Sequence, residues 1–525
     1  MFSSICKRIV ARNISNSYTM TSQSCNINVE HQQGFDPRHF LLDPAQNYKQ
    51  IVSGIQKQGL MSIFLRVGPI NCSSEKQYDF VYNFCATKGN VLSLTQLPQS
   101  HPSDISNFIV EFADKRGVEN LSVHSDSGPL IRIAKLTPKD MPGSKADKVV
   151  KDSKEMLCAA FKNKLRNAAT MSEQFELFFN EFRISSSVLR GKLFFASILG
   201  DFFNWHMQTK LVPVPFGTLI SGLASNNADL DVSLSNISCD DIQNQSILTV
   251  SQLTSDAQKR FEKFERAGAV GLFTNAGKNV QQYIDGLSMV TVITEANVPL
   301  LALKYEPLNL DIDISLENRV GLKTTWAMNT YIRMNAKVAP FVFFIREWAK
   351  HKNLAAHGLD HKGFSPFMIT CLAFFYLMRV NPPVIPPMHE LLAKHKKKSD
   401  LIIGGMRHQI VTDLDSIATR SNTSSLEELF LGFLQYFSKF DFEKCRLDLT
   451  RGMVGPSSNK FVSITLPYTH NNIARNVTVQ EAKTFQKEAE LSLRILESKV
   501  RRSRRSNDWG VSSLYKITEK MWHRY

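Results

Sequence analysis

Two aspartates separated by one apolar residue, Asp229-Leu230-Asp231, followed by Val232, form the segment of this chain best suited to chemistry. In a strand, side chains alternate, so both carboxylates share one face and Leu230 and Val232 take the other. Carboxylates a few ångströms apart repel unless a cation neutralises them, which makes a site for Mg²⁺ or Mn²⁺, hard ions that take oxygen ligands. Upstream, an apolar segment closes on Gly217-Thr218. Glycine can turn the chain so that backbone N–H groups approach a phosphate, and the threonine adds a hydroxyl there. Only ten residues separate Thr218 from Asp229, so phosphate cradle and metal pair adjoin. A lone DxD is most often a solvated strand edge; the preceding Gly-Thr makes the pattern far more specific. A second acidic strand, NLDIDISL at 309–316, places Asp311 and Asp313 on one face, and either completes a three-carboxylate site for two ions.

These residues need a sheet and covering helices. Strand-like runs at 61–67, 90–97, 107–114 and 129–135, with a helical run at 74–89, give a βαββ order expected to fold as a small antiparallel sheet with helices on one face. The pattern of basic, glycine and interleaved aromatic residues that stacks RNA bases is not legible in FIVEFADKRG, so this module is expected to make contacts, with homodimerisation through residues 58–136 as the hypothesis. A polar Pro- and Gly-containing stretch at 137–155 reads as a linker. Helical patterns follow to His206, strands alternate with helices over 212–318, and helical periodicity dominates to about Tyr436 and returns at 479–499. The expected class is α+β, with a small N-terminal RRM-like βαββ domain, a palm built on a mixed sheet (156–318 with its preceding helices), a helical central domain (319–498) and a basic tail (499–525).

Lys and Arg exceed Asp and Glu by 63 to 48 in 525 residues, which favours a polyanionic partner. The first 29 residues carry Lys7, Arg8 and Arg12 with no acidic residue, as in a mitochondrial presequence. The longest apolar run, Phe364 to Met378, is shorter than a membrane span of about 20 residues and reads as a buried helix. Eight scattered cysteines without a CxxC pair predict free thiols. His206, His351, His357 and His361 show no zinc spacing, and no GxSxG, Walker A or kinase signature is present.

Gly217-Thr218, Asp229-Leu230-Asp231 and the later DISLEN together resemble the nucleotidyltransferases of the DNA polymerase β superfamily. FIREWAKHKNL (344–354), Gly363-Phe364-Ser365, NPPVIPP (381–387) and LPYTHNNIARNV (466–477) resemble the poly(A) and poly(U) polymerases among them, over roughly 154–499. The N-terminal features make the mitochondrial poly(A) polymerases the most similar branch. The resemblance implies template-free addition of AMP from ATP to RNA 3′ ends in the mitochondrial matrix. It gives metal binding and catalysis to Asp229, Asp231 and Asp313, preferring Asp313 to Asp311. Gly217, Thr218, Lys350 and Arg346 would contact the triphosphate, Arg346 standing where the family has lysine. Phe367 would stack on the base where tyrosine is commoner, and Thr324 lies near ribose and base where uridylyltransferases tend to carry Asn. Read without the resemblance, Phe367 is core packing, Arg346 and Lys350 form a solvated helix face with Glu347, and the cations at 499–505 are a solvated tail. A uridylyltransferase, a transferase acting on a small molecule or protein, and a silent RNA-binding scaffold are the competing readings.

Overall fold

The computed structural model describes residues 38, 41, 48–68, 74–98, 105–122, 132–136, 154–209, 211–235, 255–296, 298–355, 363–394, 398–403, 406–411, 422–457, 461–466, 469–500, 509–518 and 521. The expected presequence at 1–29, residues 137–153 of the expected linker at 137–155, and the cations at 501–505 lie outside the described residues, and everything below concerns residues from Asp36 onward.

Helix α1 (Tyr48–Leu60) leads into β1 (Ser62–Val67), α2 (Ser74–Ala86), β2 (Val91–Leu97), β3 (Ser106–Phe112), α3 (Lys115–Ser122) and β4 (Ile133–Leu136). The sheet order is β2-β3-β1-β4. The expectation of an antiparallel sheet holds for three strands and fails for the fourth, because β4 runs parallel to β1. Alternation along the strands gives the two faces different partners. On one, Ile63, Leu65, Val67, Phe108, Val110 and Phe112 form a local core under α2 and α3. Phe64, Leu97, Ile109 and Ile133, on the opposite face, join the main core of the molecule. A covered face cannot stack bases, and Phe64 on it packs edge-to-face against Tyr305 of the palm at 6.1 Å instead.

Three helices follow, α4 (Lys154–Asn167), α5 (Met171–Phe182) and α6 (Ser186–Asp201), of which α6 packs across that face. Arg190 of α6 pairs with Glu111 and donates to Thr95, while Arg132 donates to Asp201 at 2.8 Å. Side-chain oxygens of Thr170 and Ser185 cap the starts of α5 and α6, dividing one long periodic run into separate helices.

The palm sheet consists of β5 (Val212–Phe216), β6 (Leu230–Ser235), β7 (Leu287–Ile293), β8 (Leu300–Tyr305) and β9 (Leu310–Leu316) in the order β5-β6-β9-β8-β7. Only β6 and β9 are parallel, so the sheet is mixed as expected. Helix α6 packs on β5 and β6, and α8 (Ser255–Tyr283) on β7 and β8; α7 is the single turn Thr218–Ser221.

Helices α9 (Arg319–Met334), α10 (Val338–His351), α11 (Pro366–Arg379), α13 (Leu426–Ser438) and α14 (Val479–Val500) build the second lobe, with the short α12 (Met388–Lys394) and a hairpin β10 (Lys398–Ile403) and β11 (Met406–Val411) between them. One feature departs from expectation. Residues 445–472 form a four-stranded sheet, β12 (Cys445–Asp448), β13 (Met453–Pro456), β14 (Ser463–Leu466) and β15 (Thr469–Asn472). Helix α5, which precedes the palm sheet, packs on α10 and α13, with Phe175 4.6 Å from Phe344 and 5.3 Å from Phe430. Among the described residues no helix is long and apolar enough to cross a membrane, and Cys85, Cys158, Cys371 and Cys445 are free thiols.

The expected basic tail is corrected as well, since residues 509–518 return to the core. Trp509, Val511, Leu514, Tyr515 and Ile517 are buried, Trp509 Nε1 donates to Arg166 O at 3.0 Å, and Tyr515 packs 5.1 Å from Phe178 and stacks on His351 at 4.4 Å. At about 1.5–3 kcal/mol for each buried apolar side chain, losing the segment removes a large part of a typical 5–15 kcal/mol margin. Truncation after residue 508 is therefore expected to lower the thermal midpoint strongly or to give insoluble protein; an unchanged circular-dichroism melt would refute this.

Candidate active site

The carboxylates are placed by strand register. Asp231 on β6 sits directly opposite Asp313 on β9, while Leu230, Val232, Ile312 and Ile314 point to the other face and are almost fully buried. Asp229 lies one residue before β6 and is exposed. Burial first, then the charges of Asp313 and Asp229, push the Asp231 carboxyl up to about 8; Asp313 is raised by burial, Asp229 and Asp311. Asp311 has a different partner, Lys304 at 3.1 Å, and is half-exposed, so of the two candidates on β9 it is Asp313 that faces Asp231. Among the described residues no three His, Cys, Asp or Glu side chains form a ready-made metal cage.

Gly217 follows β5 and has φ +73°, a backbone region that favours glycine. A Cβ there would collide with Asp231 Oδ2, so the close approach of this turn to the carboxylate leaves room for glycine alone. The Gly217 N–H donates to Thr325 Oγ1 at 2.7 Å, and that hydroxyl donates to Gly321 O at 2.8 Å, fixing the turn to α9. The DIS…N run has a structural logic too. Ser315 Oγ donates to Val232 O, Asn318 N donates to Ser233 Oγ at 2.9 Å, and the Asn318 side chain caps α9 by accepting from Gly321 N.

The carboxylates and the Gly-Thr turn border a cavity of about 780 Å³ whose other wall comes from α9, α10 and α11. Gly217, Thr218, Asp229, Asp231, Thr324, Arg346, Lys350 and Phe367 all line it; Asp313, adjoining Asp231, is not among the lining residues. Phe367 is 38% exposed at the start of a helix buried from Met368 to Met378, so it is not the core residue that periodicity alone suggests. Lys350 pairs with Glu347 at 2.7 Å. Arg346 is committed more deeply than a surface cation: one terminal nitrogen donates to Leu223 O at 2.8 Å. Its Nε and Thr324 Oγ1 are buried polar atoms without a partner, an arrangement that costs free energy unless a ligand satisfies it.

Sequence reasoning did not find Asn227, Thr325, Met328 or Ser365 on this wall. Ser365 had a local signal as the cap before Pro366, where it accepts from Met368 N at 3.2 Å. The others carry no local signal. Leu466 and Ile473, within the LPYTHNNIARNV segment, also reach the cavity from the sheet of the second lobe.

With this geometry in place, the palm can be compared with known proteins. The family model for the central palm domain of poly(A) RNA polymerase, mitochondrial-like, matches residues 171–333. Over these residues the chain is similar to that family's palm. It is 23% identical to the mitochondrial poly(A) RNA polymerase of Drosophila melanogaster, the match covering 90% of this chain and 81% of the relative. Against the Homo sapiens protein of the same name it is 25% identical, over 66% of this chain and 60% of the relative's length. The crystal structure of an apo mtPAP superposes with a TM-score of 0.74 at 21% identity, covering 89% of this chain and 99% of that one. The mtPAP complex with ATPγS gives 0.70 over the same shares, and both establish a shared fold.

The raised carboxyls have a consequence for stability. A folded value of about 8 for Asp231, above the ordinary value of about 3.9, means that the folded state holds more protons than the unfolded state between those limits. Without divalent ions, stability is fullest below the unfolded value and falls as pH rises through that window. Denaturant titrations from pH 5 to about 8 are expected to show this slope in the wild type and a flatter one in Asp231→Asn; equal slopes would contradict the assignment.

Proposed function

We propose that this protein is a polynucleotide adenylyltransferase that extends RNA 3′ ends without a template, using ATP and acting in the mitochondrial matrix. The observation that carries the reading is Asp231, which lies beside the Gly217 turn and lines a cavity large enough for a nucleotide, with Asp313 directly opposite it in the strand register. Relatives named mitochondrial poly(A) RNA polymerase supply the nucleotide and the compartment.

In the reaction, the RNA 3′ oxygen attacks the α-phosphorus of ATP, the bond to the β-phosphate breaks, and pyrophosphate leaves as the hydroxyl proton is lost. Asp229, Asp231 and Asp313 would hold two divalent ions, Mg²⁺ or Mn²⁺, the raised affinity of Asp231 and Asp313 for protons being what an oxygen-ligand cation relieves. Bound there, the ions supply a more acidic attacking hydroxyl and charge neutralisation at the leaving group. The remaining work is positioning. The Gly217 and Thr218 turn receives the triphosphate, Lys350 and the unpartnered Nε of Arg346 meet its oxygens, Phe367 offers a face to the base, and the buried Thr324 hydroxyl takes a polar edge of base or ribose.

The surplus of 63 basic over 48 acidic residues holds the RNA backbone without sequence preference, so binding weakens with salt. The β2-β3-β1-β4 sheet has one face committed to the palm side, and we assign homodimer formation to its remaining surface and edges within 58–136.

Extension of a labelled oligoribonucleotide with each of the four nucleoside triphosphates tests the reading. ATP alone is expected to give long tails, and Asp313→Ala to lower the rate by about a thousandfold or more, as removal of an electrostatic element of this kind does. Preferential extension with UTP would move the protein to the uridylyltransferases. No extension with any nucleotide would refute transferase activity.

A further inference from the structure

Asp231 and Asp313 are placed by the ladder, but Asp229 is not. It precedes β6, whose pairing to β9 begins at Leu230, and that to β5 ends at Asp231. Its position therefore depends on the loop at residues 223–228. That loop is held by backbone and side-chain bonds from two directions. Ile184 N donates to Ala224 O at 2.8 Å, and Ser185 N donates to the Asn226 side-chain oxygen at 2.7 Å. From inside, Lys192 on α6 donates to Asn226 O at 2.9 Å and to Ala228 O.

Lys192 is 4% exposed, on a helix whose neighbouring Leu189, Leu193 and Phe194 are core residues. Lysine is among the residues least often buried, and an ammonium taken out of water costs free energy unless polar groups meet it. The carbonyls flanking Asn227 do so, the second belonging to the residue bonded to Asp229. The helix that carries the lysine is itself anchored two residues earlier, where Arg190 grips Glu111 and Thr95. A fixed cation thus acts on two loop carbonyls, immediately before the one carboxylate that the sheet does not place.

We propose that Lys192 is a positioning residue for Asp229, presetting the approach of that carboxylate to the divalent ions. The inference rests on the metal-dependent reading of the site. Its predicted signature is a change in metal affinity and turnover at nearly constant affinity for ATP, because the triphosphate-facing residues lie on other elements.

The test compares wild type, Lys192→Met, which keeps the length and loses the donors, and Lys192→Arg, which keeps a charged donor. Mn²⁺ binding is measured by calorimetry with a non-reactive ATP analogue, alongside kcat and KM for ATP. Lys192→Met is expected to bind Mn²⁺ about 10–100-fold more weakly and to lose kcat by a similar factor, as when other supports behind metal ligands are removed, with KM for ATP little changed. Lys192→Arg is expected to recover part of both. If Lys192→Met is poorly folded, Lys192→Leu, which also lacks N–H donors, carries the same comparison. Wild-type Mn²⁺ affinity and kcat in a folded donor-deficient variant would overturn the proposal and leave Lys192 a role in folding alone. Absence of Mn²⁺ binding by the wild type would instead overturn the functional reading beneath it.

Discussion

Repulsion between Asp231 and Asp313, held side by side by the parallel pairing of β6 and β9, is the constraint around which the palm is organised. The ladder cannot relax it, because a slip of one residue would turn Val232 and Ile314 to the carboxylate face and aspartates into the core. The cost appears as carboxyls that hold their protons more tightly than usual, and the apolar face of the same strands offsets it. Around the pair, small or polar residues take the remaining positions: Gly217 where any side chain would strike Asp231, and Ser233 and Ser315 where buried hydroxyls find bonding partners.

The opposite wall depends on a separate core. Phe175, Phe344 and Phe430 fix α10 against α5 and α13, and Trp348 donates to Ser492 Oγ at 3.1 Å, tying α10 to α14. The segment at 509–518 stacks Tyr515 on His351 at the end of α10. Arg346 and Lys350 therefore reach the cavity from a helix whose other faces are packed on several elements. Arg346 also bridges the two walls, since its bond to Leu223 O joins α10 to the loop that leads to Asp229. A residue expected only at the phosphates also ties one lobe to the other.

What could be read from sequence was local. The alternation of Asp229, Asp231 and Asp313 with apolar residues, and the Gly217-Thr218 turn, follow from periodicity and backbone permission, and the structure brings them together. The contributions of Arg346, Lys350 and Phe367 to one cavity were legible only through resemblance, because each alone looks like a helix face or a core residue. Thr325 and Lys192 were illegible, since their partners Gly217 and Ala228 are far away in the chain and nothing local distinguishes them. The sheet at 445–472 escaped notice because strands of four residues are too short for alternation to register. The direction of β4 escaped for another reason: it is set by pairing with β1, and composition does not encode it. The segment at 509–518 was obscured by the cations that precede it.

The most direct measurement is anomalous diffraction from crystals soaked with Mn²⁺ and a non-reactive ATP analogue. The account predicts two manganese peaks, both within coordinating distance of Asp229 and Asp231 and one of them also touching Asp313, with the triphosphate at the Gly217 turn. Peaks elsewhere, or none at these carboxylates while the analogue is bound, would contradict it.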